Sequence, residues 1–177
     1  MPTLEIRRHS YKGDSDHLSH EGIQLARRLG SEMGPFELVI TSHLLRAVET
    51  ACAMGFAINE TNQDLALLPS EVLAEVNWQG GYPEFARAIS CPGPTQDFGF
   101  KLKQICTSLM NGLTDIQQVL IISHGGLIEA ATVACCGSDS VSSWNFAAGN
   151  CEGARIHYHE GSFQRPKPLR LSPGSFF

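Results

Sequence analysis

The sequence lacks several features that would assign it to a class at once. No apolar run approaches the roughly 20 residues that a bilayer-spanning helix needs, so no membrane segment is expected. Like charges never form a long block and the net charge is −5, which leaves no basic face for general nucleic-acid or acidic-membrane binding. No Cys-x-x-Cys pair occurs, which argues against a zinc ribbon or a thiol redox motif. The first residues, Met1-Pro2-Thr3, have neither the basic nor the apolar region of a signal peptide, so none is expected. Internal repeats and low-complexity tracts are also missing.

What is present suits a globular chain. A length of 177 residues allows one domain, or a domain with a small cap, and 42% hydrophobic residues can bury a core. The six cysteines are irregularly spaced, and Cys52, Cys106, Cys135 and Cys136 fall on apolar helix patterns, where a free thiol behaves as a small hydrophobe. A reducing, cytoplasmic setting is the expectation.

Short apolar strands alternate with amphipathic helices. Leu4 to Ile6 reads as a strand that runs into Arg7-Arg8-His9-Ser10. Ser19 is placed to cap a helix carrying Ile23, Ala26, Leu29 and Met33 on one side, ended by Gly34-Pro35. Leu38 to Thr41 is a second strand, and Ser42 is expected to cap a helix with Leu45, Val48 and Cys52 inside. Residues 57–94 carry mixed signals, including a possible strand at Asp64 to Leu68, and are expected to wall or briefly cap the site within a single domain spanning 1–177. Thr95 is expected to cap a longer helix with Phe98, Leu102, Ile105, Leu109 and Leu113 on one face. Val119 to Ile122 is the strongest strand, and a helix from Leu127 to Cys136 follows it. Residues 151–171 alternate like strands, ending in an edge strand and a proline-containing tail. The order predicts an α/β fold: a three-layer α/β/α arrangement with a mostly parallel central sheet and an antiparallel edge.

Three of these strands run directly into polar turns, at Arg8-His9-Ser10, at Thr41-Ser42 ahead of Arg46, and at Ser123-His124-Gly125. If the strands are parallel, their carboxyl ends share one edge of the sheet and bring His9, His124, Arg8 and Arg46 together. Two arginines offer up to ten N–H donors, and Arg46 lies in a first helical turn, where free N–H groups and the dipole attract an anion. Gly125 allows the backbone to approach a ligand closely. A phosphoryl group is the natural occupant. No carboxylate cluster stands beside the histidines, so the arginines are expected to neutralise the phosphate without metal or cofactor, and a neutral histidine can attack phosphorus. His157-x-His159 shares one strand face, but no third metal ligand is evident.

These phrases resemble the histidine phosphatase superfamily, also called the phosphoglycerate mutase-like fold. Its Arg-His-Gly motif is matched by Arg8-His9-Ser10. Its Ser-x-x-x-Arg-Ala-x-x-Thr-Ala motif is matched from Ser42 to Ala51, and its His-Gly by His124-Gly125. Leu18-Ser19-His20-Glu21-Gly22 to Ala26 is similar to its first-helix wording, so the likeness runs from about residue 4 to 136. The resemblance implies a phosphoryl acceptor at His9, with Arg8, Arg46 and His124 holding the phosphate, helped by Ser10 and Gly125. Ser10 stands where the family has glycine; it retains a backbone N–H. The family's acid is a glutamate in a phrase that Leu73-Ala74-Glu75 to Gly80 is similar to, with Glu71 and Glu84 as rivals. The implied activity is cofactor-independent hydrolysis of a small phosphomonoester or of a phosphohistidine protein. Mutase-like phosphoryl transfer and a catalytically silent phospho-ligand module remain alternatives.

Overall fold

A computed structural model describes residues 1–171. Six strands form one sheet: β1 (Thr3–Arg8), β2 (Leu38–Thr41), β3 (Glu60–Thr61), β4 (Gln118–Ser123), β5 (Gly153–His159) and β6 (Ser162–Leu169). Their spatial order is β3-β2-β4-β1-β5-β6. β3, β2, β4 and β1 run parallel, and β5 and β6 continue the sheet antiparallel. The register pairs Arg8 with Ser123 and Thr41 with Ile122, so three strand ends finish level with one another.

Alternation along the strands sends side chains to two cores. Val39, Leu120 and Ile122 point to α1 (His20–Gly30) and α2 (Leu45–Ala53), meeting Leu25, Ala26, Ala47 and Ala51. Leu4, Ile6, Ile40, Val119 and Ile121 point the other way. There they meet α3 (Ser70–Glu75), α4 (Tyr82–Ile89), α5 (Pro94–Met110) and α6 (Leu127–Cys136). The layers are therefore α/β/α, as the strand–helix order implied. On β1 the in-between positions are polar: fully buried Glu5 accepts from Arg7 Nε at 2.9 Å and pairs with Arg155 of β5.

Local details depart from expectation where a side chain has a tertiary partner. Ser19 caps α1 as expected, accepting from Gly22 N at 3.0 Å. α2 has no side-chain cap of its own: Leu44 holds the cap position, and Asp16 from the preceding loop accepts from Leu45 N at 2.9 Å. Ser42 is engaged elsewhere. α5 starts at Gly93 and Pro94 rather than on a Thr95 cap, because the Thr95 hydroxyl turns to Glu75. Asp64 to Leu68 is not a strand; a 3₁₀ turn at Gln63–Leu65 replaces it, and the strand is the short β3 just before. Among the described residues, no helix is long and apolar enough to cross a membrane.

Candidate active site

The three strand ends deliver their turns to a cavity of about 500 Å³. Arg8, His9, Arg46, His124 and Gly125 all line it, so five of the residues singled out from the sequence converge on one space.

His9 is 7% exposed, and its ring is fixed at both nitrogens. Nδ1 lies 2.7 Å from the Ser10 carbonyl oxygen. A carbonyl can only accept, so Nδ1 carries the hydrogen and Nε2 keeps its lone pair. Arg46 Nε donates to that Nε2 at 3.2 Å. Burial, helped by the Arg46 and Arg8 charges, holds the His9 pKa down at about 4. The ring is therefore neutral at pH 7, which a nitrogen nucleophile requires.

His124 stands beside it, with ring centroids 5.0 Å apart. Its Nε2 is 2.6 Å from Ser42 Oγ, which explains why Ser42 does not cap α2. Burial and then Arg46 hold its pKa at about 3. His124 Nδ1 and Arg8 Nε are buried with no hydrogen-bond partner, an expensive condition that clusters at functional sites. Arg8 is placed by its Nη1 bond to the Ala148 carbonyl, 3.0 Å, and lies 5.7 Å from the Trp78 ring centroid. Arg7, its neighbour, points to the opposite face and takes no part.

The motif around Arg46 has a local logic. Ala47, Thr50 and Ala51 are fully buried and small, so α2 sits close to the sheet. Thr50 Oγ1 donates to the Arg46 carbonyl at 2.6 Å and accepts from Ser10 N at 2.9 Å. Arg46 Nη1 is paired with Asp16; desolvation alone would raise that carboxyl, but the Arg46 hydrogen bond and charge and the Leu45 N–H together outweigh it and hold it low. Gly22 is needed because a Cβ there would lie 2.1 Å from the Tyr11 carbonyl oxygen. At Gly125 a Cβ would meet the Trp78 ring at 2.8 Å, so only glycine lets the tryptophan close the cavity wall.

Two expected site residues stand elsewhere. Ser10 is wholly buried and is not part of the cavity lining: its N–H is taken by Thr50 and its hydroxyl donates to Gly22 O at 2.8 Å. Its contribution is the carbonyl that orients His9. Glu75 is exposed, and its carboxylate accepts from Thr95 N at 2.9 Å and Thr95 Oγ1 at 2.5 Å. Those bonds hold its pKa low and tie it to the start of α5, so it neither reaches the cavity nor keeps a proton. The rivals Glu71 and Glu84 are also absent from the lining; Glu84 pairs with Arg87. The wall formed by 57–94 narrows in practice to Ala66, Leu67, Leu68, Leu73 and Trp78.

Three supporting residues escaped the sequence reading. Asn150 Nδ2 donates to the carbonyls of His9 and Ser10 at 3.0 and 3.1 Å, and its coil setting gave no signal. Asp16 lay in an ordinary polar loop. Glu129 is fully buried, and its two oxygens accept from Gly126 N at 2.7 Å and Ala148 N at 2.8 Å. A lone carboxylate inside the apolar run Leu127–Cys136 was the available clue. Among the described residues, no group of three or more His, Cys, Asp or Glu is placed to hold a metal ion.

Comparison with protein-family models and with curated proteins gives no match. Solved structures do match. Phosphoserine phosphatase from Entamoeba histolytica, in complex with 3-phosphoglyceric acid, superposes with a TM-score of 0.70 at 18% identity, covering 100% of both chains. A mycobacterial glucosyl-3-phosphoglycerate phosphatase that complexes with VO3 gives 0.65 at 18% identity, over 96% of this chain and 99% of that one. The protein histidine phosphatase SixA, complexed with tungstate, gives 0.57 at 19% identity, over 94% and 96%. Each superposition covers nearly the whole of both chains, and this chain shares the fold of these phosphatases.

Proposed function

We propose that this chain is a phosphatase that removes a phosphoryl group through a phosphohistidine intermediate on His9, without a metal or other cofactor. The observation that carries the proposal is the state of His9: a neutral ring, locked by Ser10, with its Nε2 lone pair held at the cavity floor among Arg46, Arg8 and His124. Support also comes from the structurally similar proteins, which are phosphatases by name and in two cases bind the phosphate-like anions VO3 and tungstate.

In the first step a substrate phosphoryl group takes the place of Arg46 on the His9 lone pair. A bond forms from Nε2 to phosphorus, and the bond to the leaving atom breaks with its electron pair. The ring becomes cationic, and the Ser10 carbonyl stabilises it through Nδ1–H. Arg8 and Arg46 balance the charge spread over the phosphoryl oxygens. In the second step water attacks phosphorus, His9 recovers its lone pair, and the water's proton passes to a phosphate oxygen.

His9→Ala tests this directly. It should abolish turnover while leaving the circular dichroism spectrum unchanged, and enzyme trapped during turnover should carry an acid-labile, alkali-stable phosphoryl group. A trapped phosphoryl group on serine or cysteine overturns the proposal.

A further inference from the structure

The cavity above His9 has two unlike parts. It is cationic around His9, from Arg8 and Arg46, with Lys12 also in the lining. Its upper wall is apolar, from Leu67, Leu68, Leu73 and Trp78. Leu67 is 68% exposed and Leu73 49%, although each stands beside an anion site. Aliphatic groups held open to water at the mouth of a cavity form a surface for an apolar or aromatic body.

The second observation concerns protons. Among the described residues no carboxylate lines this cavity. Asp16, paired with the lining residue Arg46, has one oxygen on that arginine and the other on the Leu45 N–H, and is held ionised. Glu75 is bound to Thr95 and Glu84 to Arg87. Both cavity histidines are neutral at pH 7, and the other lining groups with a dissociable proton, the Tyr11 phenol, weakened further as an acid by its surroundings, and the Lys12 ammonium, belong to classes far less acidic than a carboxyl group. An aliphatic alkoxide is too basic to leave unprotonated and needs an acid beside it. A phenolate, with a conjugate acid near pKa 10, is a far better leaving group. An N-phosphorylated imidazole protonated on its other nitrogen leaves as neutral imidazole and needs no added proton.

We propose that the phosphoryl group this site accepts is carried on an aromatic or heteroaromatic ring, as in a phosphotyrosine or phosphohistidine side chain, and not on an aliphatic alcohol. The inference rests on the phosphatase function proposed above. The ring packs on Leu67, Leu73 and Trp78 while phosphorus meets His9 Nε2. The N–P bond forms, the P–O or P–N bond of the substrate breaks, and the ring atom departs with the electron pair. The substrate class thus differs from that of the phosphoserine and glucosyl-3-phosphoglycerate phosphatases that share the fold, whose names denote aliphatic phosphates.

The test compares kcat/KM of the intact protein on phenyl phosphate, benzyl phosphate, phosphoserine and N-phosphohistidine, with His9→Ala as the blank. Benzyl phosphate keeps the ring but has an alkoxide as its leaving group, which separates fit from basicity. Phenyl phosphate and N-phosphohistidine should exceed phosphoserine and benzyl phosphate by roughly 10²–10⁴-fold, the usual worth of a positioned acid that the aliphatic esters lack. The two fast substrates also tell the oxygen-linked ring from the nitrogen-linked one. His9-dependent turnover of phosphoserine or benzyl phosphate within about tenfold of phenyl phosphate overturns the inference and leaves the phosphatase function standing. No His9-dependent turnover of any of the four overturns both.

Discussion

Glu129 allows a prediction in which stability and activity separate. Its Oε1 accepts from Ala148 N and its Oε2 from Gly126 N, so one carboxylate joins the turn after His124 to the loop whose carbonyl holds Arg8. In Glu129→Gln one oxygen becomes an NH2 group facing a backbone N–H at under 3 Å, donor against donor. A buried hydrogen bond is lost and a buried donor is left unsatisfied, at a cost of about 1–3 kcal/mol. For a chain of this size each kcal/mol moves Tm by about 2–4 °C, so calorimetry should show a fall of several degrees. If the loop shifts, Arg8 shifts with it, and kcat/KM should fall by about 10–10²-fold, part of the roughly 2.7–4 kcal/mol that a whole oxyanion donor is worth. A double-mutant cycle separates the two effects. In an Arg8→Ala background the change in kcat/KM should vanish while the change in Tm persists. An unchanged Tm, or an equal loss of activity in both backgrounds, refutes the reasoning.

Arg46→Ala should cost on the order of 2–4 kcal/mol of transition-state stabilisation while EDTA leaves the parent enzyme's rate unchanged; recovery of a chelated sample only on adding magnesium or zinc refutes the arginine-based mechanism. The free energy of unfolding should respond to pH through His9, whose folded pKa is about 4 against 6.5 in the unfolded chain. The unfolded state takes up a proton in that window that the folded state refuses, so this contribution is present above about pH 6.5 and is lost as pH falls towards 4. At about 1.36 kcal/mol per unit the loss reaches up to about 3 kcal/mol, measured as the difference in urea stability between the parent and His9→Gln; a difference that stays flat from neutrality to pH 4 overturns the assignment. Glu75→Gln should weaken the start of α5 and lower Tm slightly, because Thr95 loses a charged acceptor, while the slow turnover of benzyl phosphate, whose alkoxide leaving group calls for an acid, is unchanged; a fall of about 10²-fold or more on benzyl phosphate would return Glu75 to the catalytic chemistry.

The parts of this molecule that could be read from residue order are those governed by short-range pattern. Val119 to Ile122 could only be a buried strand, and a strand running straight into His124-Gly125 implied a ligand-facing turn. The convergence of Arg8, Arg46 and His124 followed from parallel strands alone, which connection rules make predictable. Where reading failed, a distant partner decided the outcome. Ser42 has the chemistry of a helix cap, yet His124, reached only when β4 docks beside β2, claims its hydroxyl. Glu75 sat in a suggestive phrase, but Thr95, brought near by packing of α5, turned its carboxylate away. The Ser10 N–H, which its place beside His9 would offer to phosphate, is taken by Thr50 of α2. Asn150 had no periodic context at all, so nothing local could have marked it.

The sheet order has a consequence for how the chain comes into being. β1 leaves the ribosome long before its neighbours, because Ile6 pairs with Ile121 on one side and with Ala154 on the other. Neither neighbour exists until α1 to α5 have been made. Until then the strand that carries Arg8 and His9 exposes both edges, and loop closure over that distance is slow. β2 and α2 can meet early, but they cannot form a reactive centre without β1. The nascent chain therefore carries no assembled nucleophile until β4 has followed, and the β5–β6 hairpin is the piece whose arrival closes the sheet around the strand that bears it.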